Sequence, residues 1–351
     1  MSQFHKLTIQ SITRETEKAV SISFNVPESL KEIFKFKAGQ YLTLRAIIEG
    51  NEVRRDYSIC SSANSGLLTV AVKEVENGVF STYANRNLKV GDSIDVATPN
   101  GRFIFEPDIT EKRTIAAFAA GSGITPVIGI VKTLLEEELN STFILVYGNK
   151  TPSDTIFYKK LNALKESYPS RFHLQEVYSQ SNEEGALFGR IEKSVVNYVV
   201  KNRFKDFAID DYYLCGPEEM INNVTETLTD NGVSKEAIHF ELFTAPANTE
   251  NEVIEVSDGN SQVTVVVDDE EITFEMPQNK TILEVALAEN VDAPYSCQGG
   301  VCSSCIARIT DGEATMRQNN ILTDSELAEG LILTCQAQPT TAKITVDYDD
   351  V

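Results

Sequence analysis

Three cysteines, Cys297, Cys302 and Cys305, stand at the spacing C-x4-C-x2-C, and a fourth, Cys335, follows after 29 intervening residues. This is a ligand spacing of [2Fe-2S] centres, in which three thiolates come from one loop and the fourth from elsewhere. One short loop cannot enclose both irons, so a second segment must supply the last ligand. Gly299 and Gly300, inside the loop, are expected at positive φ, which lets backbone N–H groups approach sulfur. Structural zinc also takes four thiolates, but zinc ribbons pair two short C-x2–4-C hooks. A disulfide pair fits poorly with a chain that opens Met1-Ser2-Gln3-Phe4 without an export signal.

A second stretch able to do chemistry is Gly121-Ser122-Gly123-Ile124-Thr125-Pro126. It follows a continuous apolar run, Thr114 to Ala120, and precedes a helical pattern with Val127, Ile130, Val131, Leu134 and Leu135 on one face. A glycine turn between a buried strand and a helix offers free N–H groups and the positive helix end to a pyrophosphate. It is not the full G-x-G-x-x-G fingerprint, and a tight connection without a ligand is the plain alternative.

The elements that must position these groups fall into three textures. Up to about Phe105 the chain reads as short alternating strands, such as Ala19–Phe24, Tyr41–Arg45 and Leu67–Val72, separated by Gly and Asn turns, which predicts an antiparallel β-barrel. From Arg113 buried strands (Thr142–Tyr147, His173–Tyr178, Tyr212–Cys215) alternate with helical patterns, which predicts a parallel α/β sheet of the nucleotide-binding kind. Residues 244–260 are poor in large apolar side chains and read as a linker. Beyond it come a hairpin around Asp268-Asp269-Glu270, a helix over Thr281–Ala288 and the cysteine loop, the order of a small α+β ferredoxin of the β-grasp type. The expected domains are 1–108, 109–243 and 261–351, with 244–260 between the last two.

The 351 residues are 42% apolar and carry a net charge of −21. Residues 261–351 hold 16 Asp and Glu against 4 Lys and Arg; the rest holds 36 against 27. Acid is therefore concentrated around the cysteines. Such a field argues against nucleic acid and for a basic protein partner, with solubility as the equally plain reading. The apolar runs are too short to span a membrane, and the expected location is cytoplasmic.

Arg55-Asp56-Tyr57-Ser58, Gly78-Val79-Phe80-Ser81, the glycine loop, Tyr147-Gly148-Asn149 and Cys215-Gly216-Pro217 occur in one order over about residues 4–243. Together they resemble the ferredoxin-NADP reductase superfamily, and residues 260–351 resemble plant-type ferredoxins. Reductase first and ferredoxin last is similar to the class of oxygenase reductases that includes the reductase component of phenylacetyl-CoA epoxidase, and Leu331-Ile332-Leu333-Thr334-Cys335-Gln336 with the following Pro339-Thr340-Thr341 resembles that class's ending. The resemblance implies FAD rather than FMN. Arg55 would hold the flavin phosphate, Tyr57 would lie on the isoalloxazine, and Ser58 would reach its N5. Val72, Gly78, Ser81 and Thr82 would meet the ribityl chain and pyrophosphate, and Phe243 would close over the ring. Gly121, Gly123, Thr125 and Pro126 would bind the nicotinamide nucleotide, with Cys215, Gly216 and Pro217 beside the nicotinamide, so that Ser58 and Cys215 carry the catalytic roles. Lys150 and Ser179 could receive a 2′-phosphate, which favours NADPH, with NADH possible; relatives with Arg at Lys150 would clamp it more firmly. Each residue has a plainer reading: Tyr57 as barrel core, Arg55 as a surface ion pair, Cys215 and Cys60 as core thiols.

The implied activity converts a two-electron hydride into single electrons, from NAD(P)H through flavin and the [2Fe-2S] cluster to an oxygenase, with the protein positioning cofactors that carry the redox chemistry. For the suspected class the oxygenase is a di-iron enzyme. The same domain order could serve a steroid or Rieske-type hydroxylase or a hybrid-cluster protein, and a zinc-stapled flavoprotein or binding module is the reading from another class.

Overall fold

The computed structural model describes residues 4–243 and 259–351. They belong to two compact units, one spanning Phe4–Phe243 and one at the C-terminus. Of the expected linker, residues 244–258 lie outside the described residues.

The first unit begins with six antiparallel strands: β1 (Phe4–Thr16), β2 (Ala19–Asn25), β3 (Tyr41–Ile48), β4 (Asn51–Ser58), β5 (Leu68–Lys73) and, after helix α1 (Val79–Arg86), β6 (Ser93–Ala97). They hydrogen-bond in the order β4-β3-β6-β1-β2-β5, and a bridge between Ile59 and Val70 joins the two edges. That closure removes the exposed edges an open sheet would leave. Period-two patterning turns Leu7, Ile9, Ile22, Leu42, Leu44, Val70 and Val72 inward, where Phe80 of α1 joins them.

The same unit continues with a parallel sheet. Its strands are β7 (Thr114–Ala120), β8 (Thr142–Asn149), β9 (Phe172–Tyr178), β10 (Leu187–Phe188), β11 (Asp211–Cys215) and β12 (Ile238–Glu241), in the order β10-β9-β8-β7-β11-β12. The helices are α2 (Ile124–Glu137), α3 (Tyr158–Ser167), α4 (Lys193–Tyr198), which runs into a π-helical turn at Val199–Arg203, and α5 (Glu218–Asp230). Ile115 to Ala119 are fully buried, as the unbroken apolar run requires of a central strand. The chain winds outward from β7 to β9, then returns to β11 on the other side of β7. The carboxyl ends of β7 and β11 are therefore the switch point where open α/β sheets bind ligands.

Barrel and sheet are fastened by α2. Lys132 Nζ donates to the Cys60 carbonyl (2.8 Å), the Ala63 N–H donates to Thr133 Oγ1 (3.2 Å), and Ser62 Oγ donates to Glu136. Gly129 allows the approach: a Cβ there would stand 2.8 Å from the Ile59 carbonyl oxygen. On the other side Tyr213 donates to the Ile104 carbonyl (3.1 Å) and meets Phe103 edge-on at 5.3 Å. The buried cluster that results mixes Cys60 and Phe105 with Ile115, Val131 and Leu145.

The second unit contains β13 (Asn260–Val267), β14 (Glu270–Pro277), α6 (Ile282–Ala288), β15 (Ile306–Asp311), β16 (Ala314–Met316), α7 (Asp324–Ala328), β17 (Leu331–Leu333), β18 (Ala337–Pro339) and β19 (Lys343–Asp347). Five strands pair as β14-β13-β19-β15-β17, with β13 and β19 parallel, and β16 pairs β18 separately. The hairpin turn is tighter than the sequence pattern implies. Only Asp268 and Asp269 form it, at φ 56° and 60°, while Glu270 pairs with Val267. Two consecutive positive φ values are what a two-residue hairpin of matching twist demands. Thr281 caps α6 by accepting from the Glu284 N–H at 3.3 Å. Among the described residues no helix is long and apolar enough to cross a membrane.

Candidate functional site

The cysteine loop runs from the end of α6 to the start of β15. Cys305 lies at its close, fully buried, and the Thr334 N–H and Oγ1 both donate to its carbonyl, at 3.1 and 2.9 Å. Those two bonds fasten the loop to the turn after β17, which carries Cys335, so the fourth ligand is held against the trio. Positive φ falls on Gly300 (70°), as expected, and on Gln298 (53°) in place of Gly299. Gly299 serves differently: its N–H donates to Cys297 Sγ at 3.3 Å.

All four thiols are free and close enough to perturb one another. Hydrogen bonds from Cys302 and Cys335, then the N–H groups of Gly299 and Val301, hold the Cys297 thiol well below its ordinary range. A bond from Cys335 lowers Cys305, and Cys335, donating to both, is raised. The Ser296 hydroxyl, buried beside Cys297, has no partner. Four converging thiols, loop N–H groups aimed at sulfur and an orphaned hydroxyl fit a thiolate-held cluster. Among the described residues no three His, Cys, Asp or Glu side chains group around a single metal position, whereas a two-iron centre spreads its four thiolates over two irons.

In the barrel, β4 places Arg55 and Tyr57 on one face and brings Ser58 to the strand end. Arg55 is exposed, its Nη1 donating to the Arg54 carbonyl at 2.6 Å. Tyr57 packs on Phe80 at 5.6 Å, and burial raises its hydroxyl above the usual tyrosine range. Gly78 precedes α1, where a side chain would collide with Ser81 Oγ at 2.3 Å and Val75 at 2.5 Å. Ser81 Oγ accepts from the Val75 N–H, and the Thr82 N–H donates to the Gly78 carbonyl, so the turn is locked. The positive end of α1 thus stands beside the end of β5, the arrangement that receives a phosphate. The Val72 carbonyl is held by Asn85 Nδ2 at 3.1 Å.

At the switch point, Gly121 adopts φ 55° and its carbonyl accepts from Tyr147 OH at 2.9 Å. Gly123 lies so near β11 that a Cβ would sit 1.9 Å from the Cys215 carbonyl oxygen. Thr125 and Pro126 are buried in the first turn of α2. Gly216 leaves room for Met220, and Pro217 precedes α5. Lys150 is exposed after β8, and Ser179 follows β9 alongside it, its N–H donating to the Asn149 carbonyl at 3.0 Å.

Two residues that sequence reasoning passed over belong here. Lys73, ending β5, brings its ammonium to within 3.4 Å of where a Cβ on Gly121 would be. Burial lowers it, against the pull of Asp154, and Lys150 is near enough to lower it further. Glu241, ending β12, pairs with Cys215 across the sheet and accepts from Ser58 Oγ at 3.5 Å. Burial and then Asp56 push its carboxyl up to about 8. Cys215 is fully buried, and its thiol is raised by burial and then by Glu241. Ser58, Cys215 and Glu241 therefore meet from three strands, while Phe243 stands exposed two residues on. The only advance signal for Glu241 was an acid among the apolar Phe240, Leu242 and Phe243; Lys73 ended a strand like many other lysines.

Comparison with known proteins agrees with this anatomy. Three family models match: an oxidoreductase FAD-binding domain over residues 6–105, an oxidoreductase NAD-binding domain over 118–226 and a 2Fe-2S iron-sulfur cluster binding domain over 265–340. The chain is 38% identical to a 1,2-phenylacetyl-CoA epoxidase subunit from Escherichia coli (strain K12), across 99% of both chains. It is 30% identical to the ferredoxin reductase component of 3-ketosteroid-9-alpha-monooxygenase from Rhodococcus rhodochrous, across 97% of this chain and 96% of the other. Among solved structures it is similar to phthalate dioxygenase reductase, at 26% identity, a TM-score of 0.62 and 98% coverage of each chain. With a site for flavin, a site for a pyridine nucleotide and a four-thiolate site in one polypeptide, the chain belongs to the family of NAD(P)H-dependent electron-transfer reductases that carry FAD and a [2Fe-2S] cluster and serve oxygenases.

Proposed function

We propose that this chain is the reductase component of a di-iron oxygenase that epoxidises phenylacetyl-CoA, taking its electrons from NADPH. The observation that carries the reading is the 38% identity to the epoxidase subunit sustained over 99% of both chains, cluster domain included. When bound, FAD would supply hydride acceptance with one-electron release, and the [2Fe-2S] cluster would supply one-electron storage. The chain's part is to bind and orient. Arg55 and the α1 end with Gly78, Ser81 and Thr82 hold the flavin's phosphates, and Tyr57 and the Val72 backbone flank it. Phe243 covers the ring. Gly121, Gly123, Thr125 and Pro126 hold the nucleotide, with Lys73 facing the same loop. Lys150 and Ser179 receive a 2′-phosphate, and Gly216 and Pro217 bound the nicotinamide pocket. Ser58, near Cys215, reaches toward the flavin N5, and its hydroxyl donates to Glu241, whose carboxyl burial pushes up to about 8.

The domain limits follow: 1–108 for flavin, 109–243 for nucleotide, 261–351 for the cluster. The acid concentrated in 261–351 fits a partner with a basic docking surface, and the expected place of work is the cytoplasm. The test is reconstitution. Purified holoprotein is mixed with NADPH or NADH and either the di-iron epoxidase subunits or a steroid hydroxylase oxygenase. Epoxide formation with NADPH, above that with NADH, supports the reading. Turnover by the steroid oxygenase alone replaces the partner.

A further inference from the structure

The turn that carries Cys335 also carries Gln336, a residue only 8% exposed. Its Nε2 donates to the Gln298 carbonyl at 3.1 Å and to Cys335 Sγ at 3.6 Å. A backbone carbonyl can only accept, so the first bond fixes which end of the amide faces the sulfur. Both amide hydrogens are then engaged, one bracing the far side of the cysteine loop and one on a cluster ligand.

This placement is enforced from several directions. The Gln336 N–H donates to the Leu333 carbonyl (2.8 Å), and its carbonyl accepts from the Arg317 N–H (3.0 Å). Gly300, at φ 70°, opens the space for the stem: a Cβ there would lie 3.0 Å from Gln336 Cγ. Gln298, whose carbonyl accepts that bond, is itself at φ 53°. A loop that only needed to bind iron has no use for a long polar side chain folded into its wall.

We propose that Gln336 is a positioning residue that sets the reduction potential of the [2Fe-2S] cluster through its bond to Cys335. An N–H dipole directed at a thiolate stabilises the form carrying more negative charge, and one-electron reduction adds that charge. In a buried site the effect is amplified by the low dielectric. Removing the donor lowers the potential and makes the cluster a poorer acceptor from flavin.

The test is an EPR-monitored redox titration of the full-length holoprotein and its Gln336→Met and Gln336→Glu variants. Methionine keeps the length and removes the donor; glutamate keeps the length and brings a negative charge. The expected order of midpoints is wild type, then Gln336→Met, then Gln336→Glu. At the wild-type midpoint the oxidised-to-reduced ratio in Gln336→Met rises three- to tenfold, tenfold being about 59 mV for one electron, with iron content and EPR line shape retained. An unchanged midpoint in an iron-replete Gln336→Met protein overturns the proposal. Loss of iron from both variants also overturns it, and assigns Gln336 to holding the loop alone.

Discussion

The four-thiolate site and the proposed hydride-transfer site are built in opposite ways. The first takes three of its four ligands from one nine-residue stretch and the fourth from a turn pinned to it by Thr334. The second gathers Ser58, Cys215 and Glu241 from the ends of β4, β11 and β12, which lie far apart in sequence. A local site depends on its own loop and survives changes elsewhere. A distributed site depends on every contact that holds barrel and sheet in register.

The largest effect tests the independence of the local site. Cys335→Ala should abolish the cluster's absorbance and cut cytochrome c reduction at least a hundredfold, while NADPH still bleaches the flavin at close to the wild-type rate. Loss of flavin reduction in the same variant breaks the distinction. Next, Gly123→Val should raise KM for the nucleotide well over tenfold, because its Cβ would overlap the Cys215 carbonyl; the cluster's spectrum should not change. A smaller change is expected from Lys150→Ala, about a five- to tenfold rise in KM for NADPH and little for NADH, read by steady-state kinetics with both nucleotides. An equal rise for both would remove the 2′-phosphate from the account of Lys150.

The smallest effect concerns Glu241. Its carboxyl is raised to about 8 in the folded protein from an unfolded value near 4.5, so the native state binds the extra proton between those values. Stability from this group is full below about pH 4.5 and is lost as pH rises toward 8. Glu241→Gln, which stays neutral, should therefore flatten the decline of Tm of the flavin-free protein between about pH 5 and 8. A parallel decline in wild type and variant would place the titration elsewhere.

The two sites also differ in how far they could be read in advance. The cysteine spacing alone carried the cluster, because its ligands are close in sequence and thiolate chemistry is narrow. The strands and the glycine loop were legible because burial writes itself as apolar runs and alternation, as at Thr114–Ala120. Glu241 and Lys73 were not, since one acid or one lysine at a strand end has no pattern; only pairing of β12 with β11, and of β5's end with the glycine loop, gives them neighbours. Gln336 was read as part of a resemblance and not as chemistry, because its two acceptors are a turn carbonyl and a sulfur 38 and 1 residues away.

The grip of α2 on the segment after Ser58 has a consequence for how such reductases can be recombined. The helix starts at the nucleotide loop, and its later turns hold Ile59, Cys60 and Ala63. One rod thus carries the proposed nucleotide loop at one end and, along its side, the segment that follows β4. A nucleotide domain borrowed from a relative would bring its own side chains at Gly129, Lys132 and Thr133, and the two halves would meet out of register even if each folded well. Grafts for changing nucleotide preference should therefore stop short of α2, replacing the Lys150 and Ser179 corners and leaving the rod with the barrel it was fitted to.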